Sequence, residues 1–420
     1  MTPTTLLFVA IVALVAVILA YQNSHHELQL VKLLVRQLNL TPCPLCLGKD
    51  FCDDTQFFEI DYQRHASNIR REDGYLLSLF TSLAQCFEPW FSRNDKIFFG
   101  NLKLQNGTVL SAVAKSAGYE HTEQFRRSVV DHINESSFID QLHLELKAEL
   151  SSSISHGLIV CSKTDGKSAV PFIDFLNSTI KKTNTMSWLE SWTAAHLSPD
   201  LLVLKILNGY LYAPIFYGVC GQIYFVENCG LTLQYFYDKM KLYTRLQVVR
   251  ELLRLAVELT DGTAHSNYSF YLTDLTADNI AIRLDDKSGL LLSLKIIDWS
   301  DVVVVMNAGD TITKKNIHVS EHIECGPGCL TYSEDDICSA SYSDHNVYAV
   351  CKEFLSPEKS ILHEITNENQ LNGKDYSQFR TIVNHCISNF NPNNINSGLG
   401  SRLNTANILM SKIDQLLSLA

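Results

Sequence analysis

Two strand-like runs with acid or amide side chains at their ends constrain this chain more than any other feature. Asn279-Ile-Ala-Ile282 and Leu290 to Ile297 are joined by Asp285-Asp-Lys-Ser-Gly289, a turn-forming connector. Asp274 and Asn279 precede the first run, and Asp298 directly follows the second. A hairpin here carries Asn279 and Asp298 to one edge, because its two ends must meet. Upstream, after Gly230, Leu231 to Thr260 has a long helical pattern. The predicted order is helix, polar loop, hairpin, acid.

The rest of the chain supplies a frame for that order. With 420 residues, 46% hydrophobic and 19% charged, it can bury a large core. Lys96 to Gly100 and Thr108 to Ala114 read as strands around Asn106-Gly107, a strong hairpin signal. Leu201 to Leu207 and Gln222 to Val226 also read as strands. Helices are expected at His26 to Leu40, Gly74 to Phe91, Glu120 to Asn134 and Phe138 to Leu150, and over most of the tail from Asp344, with a polar loop at Asn389 to Gly400. Ser151 to Ser198 yields no chemistry. A strand-rich front and a helix-rich back make an α+β, two-lobed plan. The net charge of −11 and the lack of a basic block disfavour nucleic acid as a partner.

The N-terminus points to a compartment. Leu6 to Ala20 is an unbroken run of fifteen apolar residues, with no polar face and no charge before Glu27. It is short for a membrane span and fits a signal peptide better, with a retained signal anchor as the alternative. Membrane contact would then come only through this segment, if it is not cleaved. All twelve cysteines lie beyond it, an even count that suits an oxidising compartment. Cys43-Pro-Leu-Cys46 followed by Cys52 reads as structural disulfides, ahead of a redox pair or a zinc site. Asn39, Asn106, Asn134, Asn177 and Asn267 head glycosylation sequons.

The chemistry lies in Tyr271-Leu-Thr-Asp274-Leu-Thr-Ala-Asp-Asn279 and Ile296-Ile-Asp298-Trp-Ser300. Protein kinases place an Asp and an Asn at this five-residue offset, then a hairpin, then a second Asp. Phosphoryl transfer needs an Asp to take or orient the acceptor hydroxyl, and oxygen ligands for the metals that bridge the phosphates. Asp274 suits the first role; Asn279 and Asp298 suit the second, with Mg²⁺ or Mn²⁺. A kinase also needs a strand Lys paired with a helix Glu. Val113-Ala114-Lys115 closes the Asn-Gly hairpin, and Glu123 or Glu120 follows on the next helical pattern. Gly-x-Gly-x-x-Gly is missing; Gly100 and Gly107 do not reproduce it.

Cys43 to Cys52, Tyr271 to Asn279 and Asp344-His-Asn-Val-Tyr-Ala-Val-Cys351 together resemble the divergent protein kinase domain 2 family. The resemblance implies a disulfide-bearing, bilobal protein-kinase-like fold with a smaller β-rich N-lobe and a helical C-lobe. It implies a Golgi-resident or secreted protein, a nucleotide such as ATP with Mg²⁺ or Mn²⁺, and a luminal or extracellular protein or glycan as partner. The expected layout is a signal peptide or anchor over 1–24, a helical and Cys-rich segment over 25–91, an N-lobe with an insertion over 92–228, and a C-lobe over 229–420. By that resemblance Asp274 is the catalytic-loop Asp, Asn279 and Asp298 are the metal ligands, Lys115 and Glu123 are the nucleotide pair, and Asp344 anchors the loop backbone. Leu272-Thr273 replaces the usual His-Arg, and Trp299-Ser300 the usual Phe-Gly. Those departures support an alternative, a catalytically inactive secreted pseudokinase acting as ligand or scaffold.

Cys325, Cys329 and Cys338 fall where an activation segment would lie, so disulfides there would clamp it, and Cys220 and Cys229 bracket a strand near the hinge. His318 and His322 lack the adjacent Glu of a zinc-protease helix and read as a solvated face. No Gly-x-Ser-x-Gly is present to anchor a hydrolase triad.

Overall fold

The computed structural model describes residues 43, 46–60, 97–116, 158–161, 188–262, 268–306, 317–321, 330–340, 342–356, 361–362, 373–388 and 401–419. The apolar run, the helices expected before Leu150, Glu123, Cys86, Cys325, Cys329, His322 and the Asn389–Gly400 loop lie outside these residues. Among the described residues no helix is long and apolar enough to cross a membrane. The fold is a bilobal, kinase-like mixture of strands and helices in two compact units.

In chain order the first elements are β1 (Thr55–Ile60), β2 (Ile97–Leu104), β3 (Val109–Ser116), β4 (Leu158–Cys161), α1 (Trp188–Leu197) and α2 (Pro199–Ile206). Next come β5 (Phe216–Cys220), β6 (Ile223–Glu227), β7 (Leu231–Thr232), α3 (Leu233–Phe236), α4 (Leu242–Asp261) and β8 (Tyr268–Leu272). A 3₁₀ turn (Ala277–Asn279) leads to β9 (Ile280–Leu284), β10 (Leu291–Ile296), β11 (Val302–Met306) and β12 (Ile317–His318). Then follow α5 (Glu334–Ser339), β13 (Tyr342–Ser343), α6 (His345–Val350), α7 (Gly373–Ile387) and α8 (Arg402–Leu419). A π turn, Cys351–Leu355, extends α6.

The smaller unit is an antiparallel sheet in the order β1-β2-β3-β6-β5. The Asn-Gly turn forms as expected. Gly107 takes φ +84°, a value that favours glycine, and the Asn106 side chain accepts from Thr108 N at 2.9 Å. Gly100 serves packing: a Cβ there would sit 2.1 Å from the Glu59 carbonyl oxygen of β1. Phe98, Leu102, Ala114, Ile223 and Phe225 fill one face. The cysteine-rich segment runs along β5. Leu47 N donates to Gly221 O at 2.9 Å, Gly221 N to Gly48 O at 2.8 Å, and Phe51 N to Val219 O at 3.0 Å. This pairing covers a sheet edge that would otherwise invite association. Cys43 is bonded to Cys46, and Cys52 to Cys220. The Cys-x-x-Cys is therefore a disulfide, and Cys220 is joined to the N-terminal segment rather than to the buried Cys229.

The larger unit corrects two expectations. Leu201 to Leu207 is not a strand; residues 199–206 form α2, with Pro199 in its first turn. Leu201 to Leu204 are all buried, and a run apolar on every side shows no period that separates helix from strand. Leu231 to Thr260 is not one helix: β7, α3 and a turn precede α4. Buried Leu233, Met240 and Leu246 keep the apolar spacing through the break. Buried Arg245 ties the turn down, its Nε donating to Met240 O at 2.8 Å. The stretch that yielded no chemistry contains β4, which lies parallel to β11; β8 lies antiparallel on the other side. Val302 to Val305 are buried throughout, as a central strand requires. Cys161 is bonded to Cys338 and Cys351 to Cys386.

Candidate functional site: a kinase-like catalytic loop

Strand β8 is wholly buried, but Asp274 just beyond it is exposed. The 3₁₀ turn folds Asn279 back, so its Nδ2 donates to Asp274 Oδ2 at 2.9 Å and to Asp274 O at 3.1 Å. The expected hairpin forms, with Ile280 opposite Ile296. Ile297 N then donates to Asn279 O at 2.9 Å, which sets Asp298 beside Asn279 on one edge. Asp298 is exposed, and its Oδ1 accepts from Ser300 N at 3.0 Å and Ser300 Oγ at 2.7 Å. Asp278, on the 3₁₀ turn, has its carboxyl raised above the usual range, first by partial desolvation and then by the Asp274 charge.

Beneath this exposed tip the loop is held by groups that sequence reasoning missed. Asn346 Oδ1 accepts from Leu272 N at 2.9 Å, while its Nδ2 donates to Phe270 O at 2.8 Å and Thr260 Oγ1 at 3.0 Å. His345 Nε2 lies 3.0 Å from Leu272 O. The fully buried His345 ring has its pKa pushed down to about 4, chiefly by burial. Asp344 does not hold the loop backbone as the resemblance implied; its carboxylate accepts from Ser320 N at 2.8 Å and from Arg402 Nη1 at 2.7 Å. Arg402 also donates to Cys386 O, Ser320 O and Ser388 O, and its guanidinium lies 4.9 Å from the Tyr348 ring centre. His345 and Asn346 belong to the Asp344–Cys351 motif, which carried the signal, whereas Arg402 lies outside it.

Trp299 replaces the Phe expected after the second Asp and is fully buried. Its backbone N donates to Asp200 Oδ1 at 3.0 Å, its Nε1 to Ile296 O at 2.9 Å, and its ring meets Phe270 edge-on at 6.5 Å. Asp200, on α2, had no sequence signal. Lys115 lies in the other unit, on β3 opposite Tyr224 and Ile97, and is half-buried.

The donor set suits a hard divalent cation. Nδ2 of Asn279 is turned to Asp274, so its Oδ1 faces elsewhere as an acceptor. Among the described residues no three His, Cys, Asp or Glu side chains group as a metal cluster. One amide oxygen and one or two carboxylates, completed by phosphate oxygens, is how Mg²⁺ is bound beside nucleotides.

This loop and hairpin on a two-lobed α+β frame define a divergent protein-kinase-like domain. Residues 191–389 match the protein-kinase domain of FAM69. "Divergent protein kinase domain 2A" of Xenopus tropicalis is 28% identical over 193 residues, covering 43% of this chain and 42% of that protein. The Homo sapiens protein of the same name is 27% identical over 170 residues, covering 38% and 37%. The chain thus spans about two fifths of the length of these relatives. Vaccinia related kinase 3 aligns over 78% of this chain and 85% of its own, at 12% identity and a TM-score of 0.31. The family match and the named relatives support the divergent protein kinase domain 2 family as the one this chain resembles.

Proposed function

We propose that this protein acts in the secretory pathway, Golgi-resident or secreted, as a divergent kinase. In this reading it transfers phosphate from ATP to a hydroxyl of a luminal or extracellular protein or glycan. The observation that carries the reading is the hairpin edge, where Asn279 is bonded to Asp274 and lies next to the Asp298 segment. Asn279 Oδ1 and the Asp298 carboxylate would hold the Mg²⁺ or Mn²⁺, whose charge offsets that of the phosphates. Asp274 orients the acceptor hydroxyl and takes its proton. Asn279, donating to Asp274 Oδ2, keeps that carboxylate aimed and leaves Oδ1 of Asp274 for the substrate. Lys115 is assigned to the phosphates and Glu123 to its pairing.

One observation favours the inactive secreted pseudokinase instead. Both the N–H and the hydroxyl of Ser300 bind Asp298 Oδ1, where a metal would compete. The two readings separate on transfer of labelled γ-phosphate to secreted glycoproteins. Transfer by the wild type that is lost in Asp274→Ala supports the kinase; equal labelling by both proteins rejects it. For the compartment, N-terminal sequencing and glycosidase treatment of protein from secretory cells should show a processed or anchored N-terminus and glycans, including at Asn106, which is exposed on its turn.

A further inference from the structure

Between Asp298 and Asp344, residues 317–321 are moored to the start of α6. β12 lies parallel to β13, with Ile317 opposite Tyr342 and His318 opposite Ser343. Asp344 N donates to His318 O at 3.2 Å, and Ser320 N to Asp344 Oδ1 at 2.8 Å. The chain on either side is tied independently, by β11 in its sheet and by the Cys161–Cys338 disulfide. A break at this mooring therefore has fixed ends and need not spread into the core.

At its centre is a side-chain bond whose direction follows from its partners. His318 Nδ1 lies 2.7 Å from Ser343 Oγ, and His345 N donates to the same oxygen at 3.2 Å. Ser343 is fully buried, and among the described residues its hydroxyl has no further partner. Both groups are satisfied when the hydroxyl donates to His318 Nδ1, which makes the ring neutral with its hydrogen on Nε2. A proton added to Nδ1 sets two hydrogens against each other across 2.7 Å. The hydroxyl must then turn away, and its hydrogen loses its acceptor in a buried site.

The surroundings of His318 set the sign. Burial lowers its pKa, and the Arg402 charge on α8 acts the same way. The carboxylates of Asp344 at the start of α6, Asp336 on α5 and Glu321 in the same segment raise it without cancelling the burial. His345 on α6 also faces the ring. Because the moored form has the lower pKa, opening takes up a proton. Mooring is full above about pH 6.5 and is lost as pH falls below it. His318 is partly exposed, so a proton reaches it without unfolding the domain.

We propose that His318 and Ser343 form an acid-sensitive latch that releases residues 317–321 from α6 as pH falls. The opening is local. Asn346 continues to hold Leu272 and Phe270, so the loop that carries Asp274 stays in place. The latch does not depend on whether the site transfers phosphate.

The test is amide hydrogen exchange of the full chain at about pH 7.5 and 5.5, corrected for the intrinsic exchange rate at each pH. Protection of Ser320 N–H should fall about fivefold at the lower pH. Leu272 N–H should stay at least about tenfold better protected than Ser320 N–H at both pH values, because the latch opens without the loop. His318→Gln, whose side-chain oxygen accepts from Ser343 but takes no proton, should show the same Ser320 protection at both. Three results would overturn the proposal. They are constant Ser320 protection in the wild type, the same fall in His318→Gln, and equal protection of Ser320 and Leu272 at pH 5.5, which would mean that the segment opens only when the whole unit does.

Discussion

The tip and the underside of the kinase-like loop at Tyr271–Asn279 are built on opposite principles. At the tip, Asp274 and Asp298 are exposed, and Asp274 is bonded to Asn279 and Asp298 to Ser300, neighbours in sequence. Underneath, Asn346, Trp299 and Arg402 are buried, and each binds groups far away in the chain. Burial strengthens electrostatic bonds and makes broken ones costly, so the underside fixes the loop. Solvent at the tip leaves carboxylate oxygens available for an incoming ligand. A protein that kept only its kinase-like architecture would need the underside alone; this chain has both.

Substitutions should separate the two halves. The largest effect is expected from Asp274→Ala: about 10³-fold or more loss of phosphate transfer, with an unfolding free energy within about 0.5 kcal/mol of wild type. A comparable loss of fold would show that the tip is structural. Arg402→Ala should do the reverse, costing about 3–5 kcal/mol because it strands the buried Asp344 carboxylate; denaturant unfolding measures this. Asn346→Ala leaves Leu272 N and Phe270 O without their partner and should cost about 2–4 kcal/mol.

The smallest effect is a pH dependence of the underside. Burial holds His345 near pKa 4 in the folded protein, against about 6.5 when unfolded. Its folded pKa is the lower one, so the unfolded chain takes up the proton first as the medium acidifies. Stability is then full above about pH 6.5 and is lost as pH falls toward 4. Between pH 7 and 5.5 the loss should be about 1 kcal/mol. His318, whose pKa burial also lowers, adds in the same direction. His345→Gln should flatten the dependence. Unchanged urea midpoints for the wild type across that range would show that the ring is not buried as a neutral group.

What the sequence revealed follows the same division. Asn106-Gly107 and the 280–296 hairpin were legible because turn chemistry is local. The spacing of Asp274, Asn279 and Asp298 was legible because these residues flank regular elements. Leu201 to Leu207 was misread because complete burial erases periodicity. The strand at Leu158–Cys161 gave no signal because its partner, β11, is far along the chain. Asp200 and Arg402 act across similar separations, so nothing in their neighbours announces them. Local chemistry could be read from the chain, whereas the long-range scaffold that supports it could not.

The central claim is that Asn279 and Asp298 form a metal–nucleotide edge on an independently stabilised scaffold. The most direct measurement is thermal unfolding of the full chain with ATP and Mg²⁺ or Mn²⁺, beside Asp298→Ala. A ligand that binds only the folded state must raise the melting temperature once it exceeds its Kd. The account predicts a metal-dependent rise in the wild type and none in Asp298→Ala, with both proteins melting together when no ligand is present. Equal rises in both proteins, or no rise at millimolar ATP with either metal, would contradict it.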